Sequence, residues 1–64
     1  MPTIRIEMFT GRTPQQKRDL ARALTEAATS VLGVDPMKVK VRIDEVERYH
    51  QAIGGELQGD PPEA

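Results

Sequence analysis

Pro2, Arg12, Lys40 and Arg42 are the positions of this chain best suited to chemistry on a small anion. Pro2 follows Met1 and is small enough for the initiator methionine normally to be removed in front of it. Removal leaves a secondary amine at the start of a strand-like segment, where it can act as a base or a nucleophile. If Met1 stays, the Pro2 nitrogen is a tertiary amide and is neither. A proton shuttle works best with a pKa near the working pH. Neighbouring cations and partial desolvation both disfavour the protonated amine and lower its pKa. Basic residues near Pro2 would therefore serve twice, binding an anionic substrate and keeping the base neutral.

Arg12 stands between Gly11 and a helix start, where the positive end of the helix dipole disfavours a purely structural cation. An incoming carboxylate would gain from both the arginine and the helix terminus. Lys40 and Arg42 alternate along one strand, so both project from one sheet face. They are read as substrate contacts or as members of a polar face, paired with Glu7 and Asp44; for Arg42 the second reading is favoured. His50, the single histidine, lies in a polar segment without metal-ligand spacing and is read as a surface residue. Gly54-Gly55 lacks the Lys-Ser/Thr and following helix of a phosphate loop and is read as a turn. Glu45 and Glu47 are read as solvated.

Sixty-four residues form one domain, here taken as 1–64 with 58–64 a loose tail. A chain this short buries only roughly 60% of the surface its unfolded form exposes. It has no cysteine, no tryptophan, one Phe and one Tyr, so the core must be aliphatic and nothing covalent reinforces it. Association with further copies is the expected remedy. Nine basic and ten acidic residues give a net charge of −1, with no general pull towards nucleic acid or an anionic membrane. No apolar run approaches the ~20 residues of a membrane span, and no signal-peptide core is visible. A cytoplasmic protein is expected.

The elements that must position these residues follow from periodicity. Ile4, Ile6 and Met8 alternate with Thr3, Arg5, Glu7 and Phe9, which predicts a strand over Pro2 to Phe9. Thr13 reads as an N-cap, with Pro14 at the first helical position and Gln16 completing a capping box. The helix is expected over Pro14 to Leu32, its apolar stripe formed by Leu20, Ala23, Leu24, Ala27, Ala28, Val31 and Leu32. Lys17, Arg18, Asp19, Arg22 and Glu26 are placed on the wet side, and Gly33 ends the helix. Asp35-Pro36 suggests one short helical turn. Val39, Val41 and Ile43 then predict a second strand over Lys38 to Val46. Strand, helix and strand with tight connections make one right-handed β-α-β unit with parallel strands. The pair Gly54-Gly55 between apolar residues predicts a short hairpin, and the fold class is α+β. One helix covers one face of the sheet, so the face with Arg5, Glu7, Lys40 and Arg42 is left to solvent or to another copy.

Pro2, Gly11-Arg12 before a capped helix, a charged strand near residue 40 and Ile53-Gly54-Gly55-Glu56 together resemble the 4-oxalocrotonate tautomerase family. The resemblance covers Pro2 to Leu57. It implies a dimer of paired sheets, three dimers in a homohexamer, and Pro2 in an apolar pocket at a subunit boundary. The implied activity is cofactor-free: Pro2 moves a proton between the enol or dienol and keto forms of a small unsaturated 2-oxo acid, as in aromatic catabolism. Arg12 matches the arginine that grips a substrate carboxylate. The family's second arginine falls on Lys40, which keeps the charge but not the planar fork; Arg42 is a candidate to replace it. The family's pocket aromatic falls on Gln51, a more polar wall unless Tyr49 or Phe9 supplies the ring. Related reactions on unsaturated acids are the alternative: hydration, dehalogenation or decarboxylation. The hydrating branch uses a carboxylate near Gln51–Ile53, and none stands there. A non-catalytic subunit, or one half of a hetero-oligomer, is the other alternative.

Overall fold

The alternation at the start of the chain becomes strand β1, Thr3–Phe9, in a computed structural model that describes residues 2–60. Its partner is β2, Lys40–Val46, and the two run parallel, Thr3 opposite Lys40 and Phe9 opposite Val46. Between them lies helix α1, Pro14–Leu32, over the span the sequence predicts. Thr13 caps it by accepting the Gln16 N–H at 3.1 Å, while the Gln16 side chain accepts the Thr13 N–H at 3.0 Å. Gly33 closes it in the left-handed region (φ 68°) and donates its N–H to the Thr29 carbonyl.

Both strands begin slightly later than the pattern suggests. Pro2 has no N–H to give the ladder and lies just outside β1. Pro36–Lys38 is spent on a turn of 3-10 helix capped by Asp35, so β2 begins at Lys40. A second 3-10 turn, Arg48–His50, leads into strands β3 (Ala52–Ile53) and β4 (Glu56–Leu57). The antiparallel β3–β4 hairpin turns through Gly54 and Gly55, with φ values of 60° and 85°. A tight two-residue turn of that hand needs positive φ at both positions, which only glycine adopts without strain.

Pairing in register gives the sheet two unlike faces. Ile4, Ile6, Val41 and Ile43 lie half-buried under α1. Arg5, Glu7, Lys40 and Arg42 lie exposed on the other side, with half-buried Asp44 between the arginines. The surface of α1 turned inwards is Lys17, Leu20, Ala21, Leu24, Thr25, Ala28 and Thr29. That corrects the expected stripe. Ala23, Ala27, Val31 and Leu32 face outwards, Val31 at 82% exposure. Lys17 is not on the wet side: its Nζ reaches Glu45 Oε1 at 2.6 Å, and Glu45 is thus paired rather than solvated. The physical reason is register. Glu45 continues the inward-facing row of Val41 and Ile43, and a carboxylate there needs a partner.

No described residue is fully buried. The chain exposes 5233 Å², whereas a compact globule of its 7.1 kDa mass would expose roughly 4,100 Å². Its radius of gyration is 15.4 Å, against about 11 Å for a compact chain of this length. A single copy therefore leaves its core half-built. The first residues of the segment read as a loose tail make contacts. Gln58 donates its N–H to the Gln51 carbonyl at 2.8 Å, and Gly59 packs on Arg48. Its remainder, from Pro61, lies outside the described residues, as does Met1. Among the described residues no helix is long and apolar enough to cross a membrane.

Candidate active site

Parallel pairing decides which candidates meet. Pro2 and Lys40 sit together where both strands begin: the Lys40 N–H donates to the Pro2 carbonyl at 3.0 Å. That bond continues the ladder one residue beyond β1 and holds Pro2 half-buried beside a cation-bearing backbone. Arg12 emerges at the opposite end. From Pro2 to Phe9 the chain advances roughly 23 Å, at about 3.3 Å per residue. The Thr10 N–H donates to the Val46 carbonyl and finishes the ladder there, and Gly11 turns the chain at φ 118°. No single chain can bring its own Pro2 and Arg12 to one small molecule.

Arg12 lines two adjoining clefts. One, of about 220 Å³, is mainly apolar and is formed with Met8, Gln16, Lys17 and Leu20. The other, of about 250 Å³, is polar and is shared with Phe9, Thr10, Gly11 and Arg48. An amphiphilic acid suits that junction, with its chain on Met8 and Leu20 and its charge on the arginine.

Arg42 is otherwise engaged. Its Nε lies 3.0 Å from Asp44 Oδ1, and Arg5 Nε is 3.4 Å from the other oxygen of the same carboxylate. Asp44 thus bridges two arginines that directly face each other across the strands. Lys40 makes no salt bridge among the described residues. Gln51 lines a cleft with Glu7, Met8, Phe9 and Val46, at the Arg12 end of the sheet. Phe9 is therefore the ring beside Gln51. The Tyr49 ring packs edgewise on His50 and lines a different cleft, with Thr10, Glu47 and Arg48. His50 is exposed.

One residue escaped the sequence reading. Arg48 lies in a polar stretch that carries no periodicity, and only the fold lays its guanidinium over the Phe9 ring, 4.3 Å from the centroid. The available signal was an arginine two residues after a strand whose parallel partner ends in an aromatic residue.

The tautomerase enzyme family model matches residues 2–60, so it spans the whole arrangement from Pro2 to the segment behind Arg48. The chain belongs to the tautomerase family. It is 37% identical to a 2-hydroxymuconate tautomerase of Bacillus subtilis over 94% of this chain and 97% of that protein. A heterohexamer 4-oxalocrotonate tautomerase from Chloroflexus aurantiacus superposes with a TM-score of 0.83 at 40% identity, covering 91% of this chain and 94% of the other. A further 4-oxalocrotonate tautomerase homologue superposes at 0.87 with 38% identity, over 98% of this chain and 100% of its own. These tautomerases share the β-α-β unit with its parallel strands and small antiparallel hairpin. Family membership makes the chain a tautomerase in the general sense.

Proposed function

We propose that this chain is a cofactor-independent keto–enol tautomerase of small unsaturated 2-oxo acids, with its active site built from two copies. The observation that carries this reading is the opposite placement of the two key groups. Pro2 is pinned beside Lys40 where the strands begin, and Arg12 opens onto its clefts where they end. A second copy that brings its Arg12 end to Pro2 would complete the site and cover apolar surface that one chain leaves exposed.

With Met1 removed, the Pro2 nitrogen accepts the hydroxyl proton of the enol. The oxygen's electrons form the C=O bond, the double bonds shift along the chain, and the terminal carbon of that system takes a proton from the prolinium. Atoms and charge balance, and Pro2 returns to its neutral state. Lys40 stabilises charge developing on the oxygen, and Arg12 of the other copy holds a carboxylate. Arg42 would have to leave Asp44 to assist. Gln51 and Phe9 form part of the pocket wall. We place the whole of 1–64 in one domain and six such chains in a homohexamer, a trimer of dimers. The heterohexamer from Chloroflexus aurantiacus and the lysine at position 40 favour a second reading, in which a different chain supplies the missing arginine; co-purification of a second small polypeptide from the native host would establish it.

The experiment is to follow ketonisation of 2-hydroxymuconate by ultraviolet absorbance while the intact mass of the protein reports whether Met1 is gone. The expected result is turnover by the processed chain and a large loss in Pro2→Ala. Unchanged activity in that variant would sink the mechanism.

A further inference from the structure

We infer that Arg48 is a second carboxylate-binding residue, which closes with Arg12 a two-guanidinium clamp over the Phe9–Gly11 corner. The inference rests on the reading of Arg12 as a carboxylate ligand and extends it to a residue that the sequence pattern passed over. Both arginines line the same polar cleft of about 250 Å³, whose other members are Phe9, Thr10 and Gly11.

Among the described residues neither arginine has a carboxylate within 4.0 Å, whereas Arg5, Arg42 and Lys17 all do. Glu47 and Asp60 border Arg48 in the neighbouring cleft but neither comes within 4.0 Å of its guanidinium, and Glu47 Oε2 accepts the Thr10 hydroxyl at 3.2 Å. Two cations converging on one cleft repel each other unless an anion lies between them.

Arg48 is also held in a posture suited to binding. A guanidinium held over an aromatic ring by a cation–π contact can still donate N–H groups to a planar carboxylate. From behind, Gly59 presses on it so closely that a Cβ there would fall 2.6 Å from the Arg48 Cβ. The Arg48 carbonyl accepts the Gln51 N–H at 3.3 Å and closes the 3-10 turn. Stem and backbone are thus fixed while the charged edge stays open.

The ligand class follows from the neighbouring cleft. Arg12 also borders the apolar channel along Met8 and Leu20, so the clamp suits a carboxylate that carries a short hydrocarbon chain rather than a free inorganic anion. Placing both arginines on one carboxylate gives the substrate a fixed orientation before it meets the partner's proline.

Binding of sorbate, an unreactive unsaturated monocarboxylate, to the full-length protein tests this without turnover. NMR of the arginine side-chain N–H groups should show Arg12 and Arg48 shifting together on one saturation curve. Arg48→Met keeps an aliphatic stem on Phe9 and should weaken sorbate about tenfold; Arg48→Lys should recover only part of the loss. Gly59→Ala, which must displace the Arg48 backbone, should weaken binding in the same direction. Wild-type affinity in Arg48→Met overturns the clamp, as does an Arg48 resonance that stays still while Arg12 moves. Phosphate binding as tightly as sorbate also overturns it, because the site would then be a general anion trap. The wild-type resonance measurement decides the matter even if a variant fails to fold. Turnover in Pro2→Ala tests the proton-shuttle reading and sorbate binding by the wild-type chain tests the clamp, so failure of either is seen in a separate experiment.

Discussion

The two ends of the parallel sheet are unlike, and the proposed chemistry divides between them. Where the strands begin stand a half-buried proline and a lysine joined by a backbone hydrogen bond. Where they end stand two arginines without acid partners among the described residues, a phenylalanine and an amide. The first end can hold and move a proton but has little to grip a carboxylate. The second end can grip a carboxylate but has no base placed to act on the substrate. In a single parallel pair these ends are a strand's length apart. The proposed function thus asks for what the exposed apolar surface also asks for: a second chain, oriented so that unlike ends meet.

The largest expected effect comes from blocking the base. A chain that keeps any residue attached to Pro2 has an amide in place of the amine and should lose about 10²- to 10⁴-fold in kcat/KM. Pro2→Ala should lose less, because a processed alanine still presents a primary amine. Steady-state rates beside intact masses would separate the two cases. Equal activity in the amide-blocked chain would remove the proton end from the mechanism altogether.

Damage to the other end should cost less and should be repairable. Arg12→Ala removes a charge-assisted hydrogen bond worth about 1.5–3 kcal/mol, hence roughly ten- to a hundredfold in kcat/KM. Unfolding and refolding Arg12→Ala together with Pro2→Ala should restore activity, since some sites then draw Pro2 from one chain and Arg12 from another. Random mixing at equal amounts should return about a quarter of the wild-type sites, as independent draws from two subunits require. No recovery would mean that both groups act within one chain, against the distance between them.

Lys40 tests whether the first end is complete. Lys40→Ala should cost roughly tenfold as a charge-assisted contact is lost. Lys40→Arg restores the residue the family resemblance expects and should match or exceed the native rate on 2-hydroxymuconate. A loss in Lys40→Arg would show a site fitted to the compact ammonium group and favour a different acid as substrate.

How much of this was legible beforehand depended on how local the signal was. The capped helix, the Gly33 stop and the Gly54-Gly55 turn are written in adjacent residues, and the structure has them where the sequence places them. The parallel pairing followed from one helix between two short connections. Arg48 and Gly59 were missed because their contact joins a 3-10 turn to the segment after β4, and no periodicity reports such a meeting. The rotation of α1 was missed for a related reason. Hydrophobicity alone put Ala23, Ala27 and Val31 in the stripe, while the inward surface instead took Lys17, Ala21, Thr25 and Thr29. An apolar row facing away from its own sheet fits the proposed assembly, in which other copies would cover it. Pro2 and Arg12 were recognisable as a pair. Their separation follows from the strand expected between them, at about 3.3 Å per residue.

The smallest effect is expected at Lys17, and it sharpens the contrast from within one cleft. Lys17 and Arg12 line the same apolar channel, so proximity alone would assign both to the substrate. Their partners differ. Lys17 already holds Glu45 at 2.6 Å, with about a third of each side chain exposed, and such a pair contributes roughly 0.2–1 kcal/mol. Lys17→Met keeps most of the stem against Leu20 and strands one partly exposed carboxylate. It should therefore lower stability by no more than about 1 kcal/mol in urea unfolding while leaving KM unchanged. A rise in KM comparable with that of Arg12→Ala would mean that Lys17 releases Glu45 when substrate arrives. The carboxylate end would then recruit its cations on binding, instead of presenting Arg12 and Arg48 without acid partners among the described residues.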